Sequence, residues 1–213
     1  MSRRSTFTSG ESSRPLPSGA DSGDRRLATG DSFWPPILAL ATLTFFRLPE
    51  TLLILRIQDR GVAVAAVPLV WAGLHVVRSA SSYPGGWLSD HAGPRRAVAA
   101  GGVLFAVVVF LLGTPVSAPA AMGLFLTLGL VAGLTESGER ALVARLVPRR
   151  TGRSFGVYHA LTGGVALPAG LVFGALYQSS GGSLALQVAA AGMTVSVAAW
   201  LMVSRFESRE SRV

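Results

Sequence analysis

Residues 86–115 read GWLSDHAGPRRAVAAGGVLFAVVVFLLGTP, a short polar segment with one Asp and two Arg that leads into an apolar run. The run at 97–115 holds no charged residue, and its length approaches the roughly 20 residues that a helix needs to cross the hydrocarbon core of a membrane. Thr114 and Pro115 supply the turn chemistry that ends it. This stretch therefore predicts a transmembrane helix that starts directly after a basic polar connection.

The same pattern recurs along the whole chain. Only 14% of the residues are charged, whereas soluble domains carry about 25%, and most of the apolar segments are apolar around their whole circumference, which excludes amphipathic surface helices. The sequence predicts an all-α membrane protein whose bundle occupies residues 33–205, between a disordered cytoplasmic tail at 1–32 and a short tail at 206–213. The six predicted transmembrane helices lie at 33–57, 62–81, 97–115, 119–146, 155–178 and 183–204.

Composition excludes several other classes of protein. The chain has no Cys, so it can form no disulfide and no thiolate metal site. Its net charge of +8 comes from Arg at the edges of apolar segments, whereas a nucleic-acid-binding protein needs a soluble basic face. We expect these Arg to meet membrane lipid at the anionic cytoplasmic leaflet, and we expect no nucleic-acid partner, no cofactor and no metal site.

The distribution of Arg also predicts the orientation, because cytoplasmic loops carry an excess of basic residues. With six spans, both termini lie on the same side as the connections near 89–97 and 147–154. The opposite side holds Arg60 alone. The predicted location is the cell membrane, with both termini cytoplasmic. The basic residues of that side are Arg3, Arg4, Arg14, Arg25, Arg26, Arg95, Arg96, Arg149, Arg150, Arg153, Arg205, Arg209 and Arg212.

The connection between the second and third predicted helices runs Gly86-Trp87-Leu88-Ser89-Asp90-His91-Ala92-Gly93-Pro94-Arg95-Arg96. It resembles the signature loop of the major facilitator superfamily, which reads Gly, any residue, Leu, a small residue, Asp, two variable residues, Gly and then basic residues. The segment departs from that pattern at His91 and Pro94, where a basic residue is commoner. The alternative is an ordinary cytoplasmic turn with basic residues. The matching residues are Gly86, Leu88, Asp90, Gly93, Arg95 and Arg96.

A second stretch is similar to the fourth and fifth helices of a C-terminal half in this superfamily. It comprises acidic residues from Glu136, the run Ala141-Leu142-Val143-Ala144, Pro148, and then Gly152-Arg153-Ser154-Phe155-Gly156-Val157-Tyr158. The superfamily fold has twelve helices in two six-helix halves, each built from two inverted three-helix repeats. The resemblance therefore implies one such half, with residues 1–32 as the remnant of a central linker. The segments Glu50–Arg56 and Glu139–Arg145 each begin with Glu and end with Arg. They lie in the first and fourth predicted helices, which two such repeats would make equivalent.

Charged residues at membrane depth are the candidates for the solute pathway or for proton coupling. A central ion costs at least about 2.5–3.5 kcal/mol on insertion scales, so it should face the interior and be paired. The sequence spacing places Arg47 with Glu50, His75 with Arg78, and Glu136 with Arg140 on common helix faces. Each cluster is either a structural ion pair or part of a cavity. The candidates are Arg47, Glu50, His75, Arg78, Glu136, Glu139, Arg140 and His159.

The function implied by the resemblance is half of a secondary active transporter that works by alternating access. Such a half needs a second six-helix half, from another chain or from a copy of itself, to enclose a path for a small solute and, for a coupled transporter, protons. One alternative is a nonfunctional or regulatory fragment of a split gene. Another is an intramembrane hydrolase, for which Ser137-Gly138 lies in the fourth helix as expected. The absence of a His in the sixth helix and the Glu residues flanking the Ser disfavour it. Since the superfamily moves many solutes, the sequence does not name the substrate.

The resemblance also implies a role for the signature residues. In the superfamily the Asp of the loop contacts the N-terminus of a neighbouring helix of the same half and helps to close the cytoplasmic side. Here Asp90 would contact the start of the fifth helix, expected near Ser154, because a helix N-terminus favours negative charge. Gly93 would supply the turn, and Arg95 and Arg96 would stay with the lipid headgroups. We therefore expect Asp90 to act as a conformational latch between the repeats.

Two Gly pairs at four-residue spacing, Gly129/Gly133 and Gly170/Gly174, predict close packing between helix backbones in lipid.

Overall fold

A computed structural model describes residues 34–146 and 151–210, with side chains placed for 34–145, 152 and 155–202. The helices are Trp34–Phe46 (α1), Glu50–Asp59 (α2), Val67–Ala92 (α3), Pro94–Gly113 (α4), Ala118–Leu146 (α5), Thr151–Ser180 (α6) and Gly182–Glu210 (α7). α1 and α2 together form the first span, and α3 to α7 form the second to sixth, so this part of the chain has six helical units that are long and apolar enough to cross a membrane. A short 3-10 turn at Val64–Ala66 precedes the second span.

The first span is broken at its centre. The helix stops at Phe46 and resumes at Glu50, and Pro49 between them has extended backbone angles, with φ −56° and ψ 139°. Proline has no N–H to donate and disfavours the helical conformation at the residue before it. The two halves of the span therefore point their side chains independently, and the predicted common face of Arg47 and Glu50 on one continuous helix is wrong.

The connection between the second and third spans is a single residue. The second span continues to Ala92 instead of ending at 81, so the predicted loop is helical up to that point. Gly93 turns the chain with φ 92°, a value that L side chains rarely adopt, and the third span begins at Pro94. The sequence predicted a connection at 86–96, but the buried Ser81 and Gly85 lie against the fourth span and hold this part of the chain in the helix.

The other helix ends differ less from the predicted ones. The first span continues to Asp59, the third ends at Gly113, and the fifth begins at Thr151. The sixth continues to Glu210, past the predicted boundary at 205, so residues 206–210 extend the helix. The predicted tail at 1–32 lies outside the described residues.

Packing between the spans follows a repeat of three helices. The second span packs on the fourth and the fifth packs on α1; the third packs on the fourth and the sixth on α1. The third and sixth also pack on each other. Exchanging spans one to three with spans four to six leaves this pattern unchanged, and because successive spans alternate in direction, the exchange inverts the bundle in the membrane. Gly93 and Gly181, with φ of 92° and 85°, end equivalent helices of the two repeats. The fold is thus two inverted three-helix repeats.

The second and fourth spans pack closely, with backbone against backbone. A Cβ added at Gly85 would lie 2.2 Å from the carbonyl oxygen of Gly133, and one added at Gly133 would lie 2.5 Å from the Cβ of Ser81. Gly129 meets the backbone of Leu74 and Arg78 in the same way. The prediction for Gly129 and Gly133 is therefore confirmed. The prediction for Gly170 and Gly174 is wrong for contacts among the described residues. A Cβ at Gly174 would meet nothing within 4 Å there, and one at Gly170 would lie 3.9 Å from Pro49 Cγ, an ordinary van der Waals distance.

The outer surfaces of the bundle are of two kinds. The third and sixth spans expose apolar side chains, among them Val103, Val107 and Val195. The first, second, fourth and fifth spans also expose apolar side chains, such as Leu69, Val76 and Leu171, but one part of their surface carries polar and charged side chains. We call this part the polar face; it comprises Glu50, His75, Arg78, Ser79, Ser82, Arg140 and His159.

Candidate functional site

Glu139 of the fourth span is held from two other helices. Its side chain is only 6% exposed. Arg47, at the break in the first span, donates from Nη2 to Glu139 Oε1 at 2.7 Å, and Tyr158 of the fifth span donates from its hydroxyl to Oε2 at 2.6 Å. Both carboxylate oxygens are therefore engaged, as a buried charge requires. Through Glu139 the first span is tied to the fourth and fifth spans.

Arg78 of the second span joins two other carboxylates. It contacts Glu136 of the fourth span closely and lies 3.4 Å from Glu50 Oε1 of α2. Glu136 also accepts from Arg140 Nη2 at 3.2 Å, one helical turn away, and Glu50 accepts from Trp71 Nε1 at 3.2 Å. The predicted pair of Glu136 and Arg140 is thus present, while Glu50 pairs across helices.

These charges border an open pocket, whose free space, counted with the solvent at its mouth, is about 460 Å³. Its charged wall consists of Arg47, Glu50, Arg78 and Glu136, and Thr135 adds a hydroxyl. Because the four charges sum to zero and each is paired, the pocket in this state presents little net field. Its apolar wall consists of Leu48, Leu53, Phe105, Leu128, Val131 and Ala132.

The two candidate histidines lie apart from this pocket wall. His75 is exposed on the second span and packs edge-on against Trp71, with ring centroids 4.6 Å apart. His159 is exposed on the fifth span and lies beside Tyr158, with centroids 4.9 Å apart. Each therefore touches an aromatic ring that binds one of the carboxylates, Glu50 through Trp71 and Glu139 through Tyr158.

The signature residues lie at the end of the second span and the start of the third. Gly86 and Asp90 are helical, and Asp90 is exposed without a hydrogen bond or ion pair to any side chain that the structure places. The side chains of residues 151, 153 and 154, where its acceptor is expected, lie outside the described set. The latch therefore stays a prediction. Arg95 is half-buried and its carbonyl accepts from Trp200 Nε1 at 3.0 Å, while Arg96 is exposed.

Sequence reasoning missed the role of Arg56. Its side chain is buried and donates to the carbonyls of Leu112 and Gly113 at 2.8 and 2.9 Å and to Ser183 Oγ at 2.7 Å. Those carbonyls end the third span and lack partners within the helix, and a helix C-terminus carries partial negative charge that favours a cation. Arg56 thus ties α2 to the third and sixth spans. Beside it, Tyr177 donates to Asp59.

Ser137, the candidate nucleophile of the hydrolase alternative, has its hydroxyl engaged by backbone. It donates to Gly133 O at 2.8 Å and lies 3.4 Å from Ser82 O. A serine in this arrangement fixes the second span against the fourth.

Comparison with known protein families distinguishes a transporter from a hydrolase. The sequence model of the Major Facilitator Superfamily matches residues 33–212. The chain belongs to the major facilitator superfamily. It is therefore a multi-pass membrane protein of a transporter family and not a hydrolase. The comparison with curated proteins gives no significant sequence match.

A solved transporter structure shows the same helix arrangement. The chain superposes on a peptide transporter, POT, crystallised in complex with alafosfalin, with a TM-score of 0.67 over 82% of this chain and 19% sequence identity. At that identity the likeness shows the fold alone. The chain covers 38% of the transporter's length, so its six spans correspond to part of a larger bundle.

Proposed function

We propose that the chain is one half of a secondary active transporter, resembling the C-terminal half of the superfamily, and that it works by alternating access with a second six-helix half. The observation that carries the proposal is the polar face. The half-buried Glu50 and Arg78 and the exposed Arg140 lie on one side of a membrane bundle, where contact with hydrocarbon would be costly. The apolar surfaces of the third and sixth spans, by contrast, suit lipid.

The network around the pocket supports a pathway at this face. Arg47, Glu50, Arg78 and Glu136 come from three different spans and border one cavity, at the break in the first span. Helices that are interrupted at membrane depth are a common feature of transporter binding sites. A second half placed over the polar face would close the cavity around a small solute.

Photo-crosslinking tests the cover over this face. A photoreactive amino acid at Ser79, which is exposed on the polar face, should give products that contain a second six-span polypeptide or a copy of this chain, identified by mass spectrometry. The matched position is Val107, 51% exposed on the third span, where lipid adducts should dominate. Lipid adducts at both positions would contradict the proposal and favour the gene-fragment alternative.

Topology gives an independent prediction. The excess of Arg on one side supports a topology in the cell membrane with both termini cytoplasmic and Arg60 outside. Reporter fusions made after Arg60 and after Val213 should therefore show opposite locations. The same location for both reporters would contradict six spans.

A further inference from the structure

The second and fifth spans are the least covered helices of the bundle. In each of them only 17% of an 18-residue apolar stretch is buried, whereas the other four spans reach 33–61%. The second span packs on the third and fourth, and the fifth packs on α1, the fourth and the sixth. These two spans therefore form the two open edges of the polar face.

Each edge carries exposed apolar side chains beside the polar groups. Leu69 and Val76 are 77% and 69% exposed on the second span, and Leu167 and Leu171 are 73% and 76% exposed on the fifth. Ser79 of the polar face is three positions from Val76 and hence on the same side of that helix. The polar face is thus bordered by apolar side chains on both edges, which would separate it from lipid once they meet a partner.

The two apolar edges match each other in depth. Val76 is as many residues from Ala92, the proposed cytoplasmic end of its helix, as Leu167 is from Thr151, the proposed cytoplasmic end of the fifth span. At the helical rise of 1.5 Å per residue, both lie roughly 24 Å from that end. Because the second and fifth spans run in opposite directions, they would pack antiparallel where one copy meets another.

Membrane orientation restricts how two copies of the chain can meet. The excess of Arg on one side directs each copy into the membrane in the same sense, so the axis that relates two copies is perpendicular to the membrane plane. A two-fold axis of this kind through the polar face lays the second span of each copy on the fifth span of the other. Such an interface is isologous, with the same surface used on both sides. Val76 then meets the partner's Leu167 at both edges.

The charges of the face also suit a second copy as the partner. In the pocket wall, Arg47 and Arg78 balance Glu50 and Glu136, so two such walls can face each other without the cost of opposing like charges. The remaining arginine of the face, Arg140, lies within about two turns of the proposed cytoplasmic end of the fourth span. Its side chain can therefore reach water in either copy.

We propose that the second half is a second copy of this chain, packed through the second and fifth spans around a two-fold axis perpendicular to the membrane. This inference rests on the proposed function and names its partner. The two equivalent pockets then face each other across the axis. The solute path is built from both chains, and neither chain encloses it alone.

Disulfide mapping tests the arrangement, because the chain has no Cys and every disulfide must come from an introduced one. Two full-length copies with different affinity tags, one Val76→Cys and the other Leu167→Cys, are co-expressed and oxidised in the membrane. The mixed pair should give about tenfold more disulfide-linked dimer than either variant alone, since the two-fold axis puts Val76 beside the partner's Leu167 and far from a second Val76. A chain with both substitutions should stop at dimers, because an isologous interface closes.

The matched control is the mixed pair Val107→Cys and Val195→Cys. These residues are 51% and 69% exposed on the third and sixth spans, and their yield should not exceed that of the single variants. Native mass spectrometry of the unmodified full chain, released from membranes, should show a dimer and guards against misfolded variants.

Monomers in native mass spectrometry, or a mixed Val76 and Leu167 pair that crosslinks no better than the control, would overturn the inference. A ladder of larger species from the doubly substituted chain would overturn the two-fold arrangement, because a head-to-tail contact does not close at two copies. If Ser79 then crosslinked to a different six-span polypeptide, the proposed function would stand with another partner. Lipid adducts at Ser79 would remove both.

Discussion

Gly85→Ala is expected to destabilise the bundle by about 2–3 kcal/mol, at the upper end for overpacking of a tight contact. The added Cβ would lie 2.2 Å from the carbonyl oxygen and 2.8 Å from the carbonyl carbon of Gly133. Both atoms are backbone, so no side chain can rotate away, and the second and fourth spans must separate. In lipid, helix association depends on such close packing, and unfolding of the full chain by SDS titration measures the loss.

The same substitution at Gly163 is the matched control. Gly163 lies inside the fifth span, and a Cβ there would meet nothing within 4 Å. Ala is favoured over Gly in a helix interior by up to about 1 kcal/mol, so Gly163→Ala should leave the bundle as stable or slightly more stable. Equal stability of the two variants would show that the second and fourth spans do not pack backbone to backbone at Gly85.

Arg56→Met is the second substitution with a large expected effect, a loss of about 3 kcal/mol or more, since hydrogen bonds to a charged group contribute about 1.5–3 kcal/mol each. Met preserves much of the side-chain length but leaves the carbonyls of Leu112 and Gly113 and the hydroxyl of Ser183 without their donor. Arg56→Lys should recover part of the loss, because an ammonium cannot reproduce the fork that reaches both carbonyls. SDS titration again supplies the measurement.

Arg145 provides the control for this substitution. It occupies the place in the fourth span that Arg56 occupies in the first, counted from Glu139 and Glu50, but it is exposed. Arg145→Met should change stability by no more than about 0.5 kcal/mol, as is usual for surface positions. If both variants lost the same stability, the hydrogen bonds of Arg56 to the third span would not be its main contribution.

Local patterns in the sequence predicted the six spans and the residues of the charged network. These patterns did not predict contacts between residues that are distant in the sequence. Arg47 and Glu50 look like a helical pair by spacing, yet Pro49 breaks the helix between them and Arg47 pairs with Glu139, 92 positions away. Spacing rules hold only within a continuous helix, and they carry no information about contacts between helices.

The contacts of Arg56 and the end of the second span were not predicted, for two other reasons. The partners of Arg56 are mainly backbone carbonyls, and a carbonyl has no residue signature to find. The run at 81–92 has the Ser, Gly and Pro content of a turn, but small residues also permit close helix packing. Whether this segment forms a turn or a closely packed helix depends on its contacts with the fourth span, which is distant in the sequence.

The one-residue joints at Gly93 and Gly181 have a mechanical consequence. A connection of one residue has no spare length. The second and third spans are therefore expected to move together, with little change in the angle between them, and so are the fifth and sixth. Relative movement of the helices is therefore expected at the longer described connections, 60–66 and 114–117, and at the break at 47–49. Lengthening the chain at 60–66 or 114–117 should let the helix pairs move more independently of the rest of the bundle. An insertion beside Gly93 or Gly181 should instead change the angle between the two helices of a pair.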